Sequence, residues 1–283
     1  MATIRELLRV PHGDTVDLAS VDPRSTPGLP DIRRPKAKAR EQLSRVGDEL
    51  AGYQERLYAQ AKAGGTGRRL LLVLQAMDCG GKDGTIRKVI GRLNPQGVHI
   101  VSFGPPTPAE RRHHFLWRVR REVPRPGYVG VFNRSHYEDV LVARVRGAVP
   151  ERIWSRRYDE INSFERELVD EQVTIIKVML HISPDEQRRR LRARLEDPTK
   201  YWKYDPADLE ERRHWADYQA AYGDALGRCS TDEAPWYVVP ADRKWYRDWA
   251  VAHLLRETLA ELDPHYPPPS VDLAREKARL AGT

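Results

Sequence analysis

A chain of 283 residues is long enough for one large α/β domain with a full core, or for two small ones. Hydrophobic content of 40% and charged content of 31% describe a globular protein, with apolar runs far too short to span a bilayer. Lys and Arg number 48 against 41 acids, a formal charge of +7 that suits a polyanionic partner. No helix-turn-helix, RNA-recognition or zinc-finger signature accompanies that charge, so nucleic acid is not the expected partner. Two cysteines make no disulfide framework and the first residues lack a signal-peptide core, so the expectation is a cytoplasmic protein without a membrane anchor.

In chain order, residues 1–35 are rich in Pro, Asp, Arg and Thr without a sustained period, and read as an extended arm or a partly disordered one. Over 36–62 the apolar positions Leu43, Val46, Leu50, Tyr53 and Leu57 recur at three and four, the spacing of an amphipathic helix. A strand-length apolar run follows over 70–74. It breaks into Met77-Asp-Cys-Gly-Gly-Lys-Asp-Gly-Thr85 and then a helical pattern to Arg92.

Strand, glycine-rich turn and helix start are the parts of a phosphate cradle, in which backbone N–H groups face the anion and a lysine adds a full charge. The match to the usual P-loop spacing is imperfect: Ala76 takes the first glycine position, Asp83 follows Lys82, and the hydroxyl arrives later as Thr85. Asp78 strengthens the reading, because a carboxylate at the carboxyl end of a buried strand is costly unless it faces a cation. Cys79 reads as a small spacer in the loop.

Further along, strands are expected over 98–103, 128–132, 173–182 and 236–239, and helices over 108–122, 137–145, 153–168, 206–227 and 244–262, with another opening at Pro184. The alternation argues for an α/β sandwich with a parallel sheet. Asn133 and Arg134 should emerge at its carboxyl edge, where such sheets keep their ligands. The two helices over about 184–227, joined by the basic aromatic Lys200-Tyr-Trp-Lys203 and inserted between strands, read as a lid.

Assembled, Met77-Asp-Cys-Gly-Gly-Lys-Asp-Gly-Thr85, Phe115-Leu-Trp-Arg118, Gly130-Val-Phe-Asn-Arg-Ser-His-Tyr-Glu-Asp-Val140, Arg194-Leu-Glu-Asp-Pro-Thr-Lys-Tyr-Trp-Lys203 and Ala234-Pro-Trp-Tyr-Val-Val-Pro-Ala-Asp-Arg-Lys-Trp245 resemble the polyphosphate kinase 2 family in order and register. The resemblance implies a P-loop kinase-like three-layer sandwich over 36–265, with an arm before it and a tail over 266–283. It implies reversible, Mg²⁺-dependent transfer of the terminal phosphoryl group of inorganic polyphosphate to AMP or ADP, with GDP a further candidate acceptor. Asp78, Lys82 and Arg134 would be catalytic, with Asp78 holding Mg²⁺. Gly81, Asp83, Gly84, Thr85, Arg118, Arg194, Lys200 and Lys203 would contact phosphate, and Asn133 and Glu138 the nucleotide. Members confined to diphosphates usually carry Asn at the position of Glu138. The family also implies a homodimer or homotetramer. Two other readings stay open from the residues alone: an ATP-dependent nucleoside monophosphate kinase of the same fold, and a polyanion-binding protein with an inactive site.

Overall fold

The computed structural model describes residues 2–13, 15–29 and 33–283. In order its elements are α1 (Ile4–Leu8), α2 (Pro35–Lys62), β1 (Arg69–Gln75), α3 (Lys82–Lys88), β2 (Val98–Ser102), α4 (Trp117–Arg120), β3 (Val129–Asn133) and α5 (Val142–Val145). They continue with α6 (Glu151–Asp170), β4 (Val173–His181), α7 (Pro184–Glu196), α8 (Ala207–Arg213), α9 (Trp215–Arg228), β5 (Trp236–Pro240), α10 (Lys244–Leu262) and α11 (Leu273–Ala281). The five strands lie in the order β2-β3-β1-β4-β5, and every pair is parallel.

The alternation within β1 builds both cores. Leu70, Leu72 and Leu74 face the layer containing α2, α3 and α10, where they meet Leu50, Leu57, Val89, Leu254 and Leu255. Leu71 and Val73 face the opposite layer, against Tyr158, Ile161 and Phe164 of α6 and Leu226 of α9. A strand covered on both sides must be apolar throughout, and each leucine so buried stabilises the fold by about 1.5–3 kcal/mol. The result is the three-layer α/β sandwich expected from the alternation of elements.

One interior group of β4 is charged. Lys177 is fully buried and donates to Glu165 Oε2 at 2.5 Å, to Tyr137 Oη at 3.0 Å and to the carbonyl of Cys229 at 2.6 Å. His136 meets the other oxygen of Glu165 at 3.2 Å. This network fastens the turn after β3 to α6, β4 and the end of α9.

The structure differs from expectation in four places. Residues 4–8 form a capped helix in which Thr3 and Glu6 satisfy each other's amides, and the backbone N–H groups of Ile4 and Arg5 donate to Glu257 of α10. Val10 donates to the carbonyl of Trp236 at 2.8 Å and Arg9 bridges Tyr237, so this part of the arm covers the open edge of β5. The helix expected over 108–122 is only a 3₁₀ turn at Glu110–Arg112 and the four residues of α4. His113 is extended between them, and His114 and Arg120 reach instead to Glu160 and Glu167 of α6. Over 137–145 a 3₁₀ turn at His136–Asp139 precedes α5. The helix expected over 206–227 is broken at His214 into α8 and α9.

Candidate active site

Sheet order positions the site before any side chain does. From β1 the chain runs through α3 to β2, beyond β3. From β3 it runs the other way, to β4 beyond β1. The crevice between the carboxyl ends of β1 and β3 is therefore the switch point at which parallel sheets bind ligands. There Leu74 is in register with Asn133, and the Arg134 amide donates to the Leu74 carbonyl at 3.1 Å.

The glycine-rich loop turns sharply at the end of β1. Gly81 has φ of 113°, and a Cβ there would lie 1.9 Å from Nη1 of the buried Arg247 of α10; at Gly84 it would lie 2.8 Å from Nη2. Both positions are glycine because Arg247, held by Asp248 at 2.6 and 2.9 Å, fills the space under the loop. Within the loop, the amides of Gly81, Lys82, Asp83 and Gly84 make no hydrogen bond to the protein among the described residues. Such free N–H groups, with a lysine beside them, form a receptor for phosphate oxygens. Lys82 Nζ reaches back to the Ala76 carbonyl at 3.1 Å. Burial, and then the neighbouring Arg134, hold its pKa below the usual lysine value. Burial pushes the Cys79 thiol up to about 11, in keeping with a spacer and not a nucleophile.

Opposite the lysine, Arg134 donates to Asp78 Oδ1 at 2.9 Å. Arg134 holds a left-handed φ of 62°, unusual for a residue with a side chain, which turns it from the strand direction toward β1. Asn133 donates to Asp83 Oδ1 at 3.0 Å, a second link between the β3 turn and the loop. Glu138 stands behind these groups. Burial raises its pKa against the pull of Arg134, Lys82 and the Gln75 amide. Asp78 has one carboxylate oxygen not engaged by Arg134, and Thr85 carries a buried hydroxyl with no partner among the described residues. Hard oxygen donors of this kind fit Mg²⁺, which takes one or two protein oxygens and fills its shell with phosphate and water.

These groups open onto a cleft of about 1260 Å³. Asp78, Gly81, Lys82, Asp83, Gly84, Asn133, Arg134, Arg194, Lys200 and Lys203 line it, so the structure brings most of the sequence candidates together. Thr85 and Glu138 lie behind its wall. Arg118 sits at the rim, donating to the Gly104 carbonyl at 2.8 Å with its guanidinium over the Phe103 ring.

The candidate cations beyond the loop are already engaged. Arg194 bonds Asp208 at 2.9 Å and the Lys203 carbonyl at 2.7 Å, Lys200 pairs with Asp197, and Lys203 approaches Asp83 at 3.5 Å. Exposed cations without an ion pair among the described residues lie on the cleft's other wall, outside the set of candidate site residues. Lys36 and Arg40 of α2, Arg87, Lys88 and Arg92 on and after α3, and Arg243 and Lys244 at the start of α10 make no ion pair among the described residues. The sequence signals for them were polar helix faces beside the loop for Lys36, Arg40, Arg87 and Lys88, and the Ala234–Trp245 motif for Arg243 and Lys244.

A parallel sheet with a lysine-bearing loop at the switch point, an acid four residues before the lysine and a cation-lined cleft defines a P-loop kinase-like phosphotransferase. Residues 33–266 match the model of the family described as Polyphosphate kinase 2 (PPK2). The chain is 52% identical over 242 residues to the "AMP/ADP-polyphosphate phosphotransferase" of Meiothermus ruber, covering 86% of this chain and 88% of that one. It is 40% identical to the "ADP-polyphosphate phosphotransferase" of Rhodopseudomonas palustris, over 92% and 91% of the two chains. The crystal structure of Polyphosphate Kinase 2 from Arthrobacter aurescens TC1 superposes with a TM-score of 0.95 at 47% identity, covering 100% of this chain and 98% of that one. This chain belongs to the polyphosphate kinase 2 family.

Proposed function

We propose that this protein transfers the terminal phosphoryl group of inorganic polyphosphate to AMP and to ADP, reversibly and with Mg²⁺. The observation that carries the reading is the Asp78–Lys82–Arg134 cluster at the switch point, set between a wall of unpaired cations and the turn after β3. The name of the Meiothermus relative includes both acceptors, and Glu138, where diphosphate-restricted members usually carry Asn, favours the same breadth.

Polyphosphate carries about one negative charge per phosphate, so exposed cations without carboxylate partners are suited to gathering it. Lys36, Arg40, Arg87, Lys88, Arg92, Arg243 and Lys244 would hold the donor chain along one wall and deliver its end to the loop. The acceptor would enter from the β3 side, where Asn133 and Arg134 can bond its phosphate. During transfer, the free loop amides and Lys82 would stabilise charge on the migrating group, since catalysis of this reaction is mostly positioning and electrostatics. Mg²⁺ would be held by Asp78 and would neutralise charge on the phosphates. Arg134 holds Asp78 in place, and the acceptor phosphate, already largely ionised at neutral pH, needs no base.

Of the segment over 184–227, residues 198–213, between the partly buried α7 and α9, would act as a lid. Its contact with the loop through Lys203 and Asp83 is exposed and long, the kind of link that opens readily. Assay of purified protein with ADP, Mg²⁺ and long-chain polyphosphate should yield ATP. Turnover of ATP with AMP in the absence of polyphosphate, and none with it, would select the nucleoside monophosphate kinase instead.

A further inference from the structure

The amides of Lys82, Asp83 and Gly84 open α3 and, as at any helix start, have no carbonyl partner within the helix; the carbonyls just before them, those of Asp78, Cys79 and Gly80, accept from no backbone N–H among the described residues. All three carbonyls are taken by side chains of α7. Gln187 Nε2 donates to the Asp78 carbonyl at 3.0 Å, and Arg190 Nη1 donates to those of Cys79 and Gly80, both at 2.8 Å. The rest of Arg190 is equally committed. Its Nε bonds Glu186 at 2.6 Å, and its Nη2 bonds the carbonyls of Ala241 at 2.5 Å and Asp242 at 3.4 Å. A guanidinium has five N–H donors, and here each has an acceptor inside the protein. Arg190 is 7% exposed and Gln187 1%.

From this geometry we infer that Gln187 and Arg190 are positioning residues that set the phosphate loop. They bond three successive carbonyls of the loop and hold those oxygens to its back. A carbonyl oxygen facing the cleft would repel phosphate; with these oxygens held from behind, the loop presents its N–H side to the ligand. With no donor to spare, Arg190 acts on phosphate through the loop and not by gripping it. Its bonds to Ala241 and Asp242 also fix the turn that presents Arg243 and Lys244, so one side chain sets both the loop and part of the cation wall. Lysine cannot replace it, since an ammonium has three donors at a single point. Sequence alone does not reveal this, because Arg190 belongs to a run of arginines in α7 whose other members are exposed or paired at the surface.

The inference rests on the phosphotransferase reading for its kinetic arm, and on phosphate binding alone for the other. Wild type, Arg190→Lys, Gln187→Met and, as reference, Lys82→Ala are compared by thermal unfolding, by calorimetry with tripolyphosphate, and by kinetics with polyphosphate and ADP. In folded Arg190→Lys, kcat should fall by about a hundredfold, the loss that misplaced catalytic groups produce. Tripolyphosphate should bind about tenfold more weakly, while the KM for ADP changes by less than about threefold. Gln187→Met, which removes one bond to the loop and one accepted from Arg212 and keeps side-chain volume, should show the same pattern at smaller size, and decides the matter if Arg190→Lys does not fold. Tripolyphosphate affinity and kcat close to wild type in both folded variants would overturn the inference, as would a loss of kcat that only tracks the unfolded fraction. Wild type that makes no ATP would sink the phosphotransferase reading, while the calorimetry would still decide the role of α7.

Discussion

Arg134 and Asp78 join the two halves of the site: a guanidinium from the turn after β3 meets a carboxylate from the end of β1 at 2.9 Å. The pair is partly exposed, its side chains retaining 38% and 23% of their accessible surface, so it contributes little to stability. Its consequence is geometric, since it holds the Asp78 side chain next to Lys82 with one oxygen not engaged by Arg134. Asp78→Asn should therefore lower turnover by about a thousandfold with little change in thermal midpoint, and Lys82→Ala should lower it by a comparable factor. Steady-state kinetics beside thermal unfolding check both. Near-normal turnover in either variant would remove the pair from the chemistry.

The unpaired cation wall predicts a different kind of defect. Reversing Arg87 and Lys88 together to Glu should raise the KM for long polyphosphate by about tenfold at low salt, with kcat and the nucleotide KM nearly unchanged. The dependence of that KM on salt should also become shallower, because fewer counterions are released. A salt titration with long and short polyphosphate separates this from a general loss of activity.

Asp208 gives a pH dependence. Burial, and then the nearby Asp78, push its carboxyl up to about 6, from an ordinary value of 3.8 in the unfolded chain. The folded protein thus binds this proton more tightly than the unfolded one. The associated stability is fully present below pH 3.8 and is lost as pH rises to about 6. Asp208→Asn cannot ionise, so its thermal midpoint relative to wild type should climb between those limits and level off above them. A flat difference across the range would contradict the assignment.

The buried Lys177–Glu165 pair should behave as an interior ion pair. Lys177→Met alone strands Glu165 in the core and should cost about 3–5 kcal/mol, whereas adding Glu165→Leu should recover much of the loss. Denaturant unfolding of the two variants measures this. Because the same network holds the turn bearing Arg134 and Glu138, the double variant should regain stability more completely than activity.

The strands of the sheet were legible because a buried parallel strand leaves little choice of residue, as β1 and β4 illustrate. Asp78, Lys82 and Arg134 were legible because each stands where an apolar run stops at a sheet edge. Order in the N-terminal arm was not, since it comes from partners such as Glu257, 252 residues from Arg5 along the chain. The helix over 108–122 was misread because its arginines and histidines look like one solvated helical face, while His114 and Arg120 reach across to acids on α6. Charge pairing was the least visible property. Arg194 and Lys200 looked free in sequence and are engaged, whereas Arg87 and Lys88 looked like an ordinary polar face and carry no partner among the described residues. Arg247 and Arg190 escaped notice for the same reason, because only packing shows that they support the loop from behind.

The most direct measurement supplies purified protein with Mg²⁺, AMP and polyphosphate as the sole phosphoryl donor, and follows nucleotides over time. ADP should appear first and ATP after it, with the polyphosphate shortening in step and Lys82→Ala producing neither. Wild-type protein that binds polyphosphate yet forms no ADP from AMP and no ATP from added ADP would contradict the account.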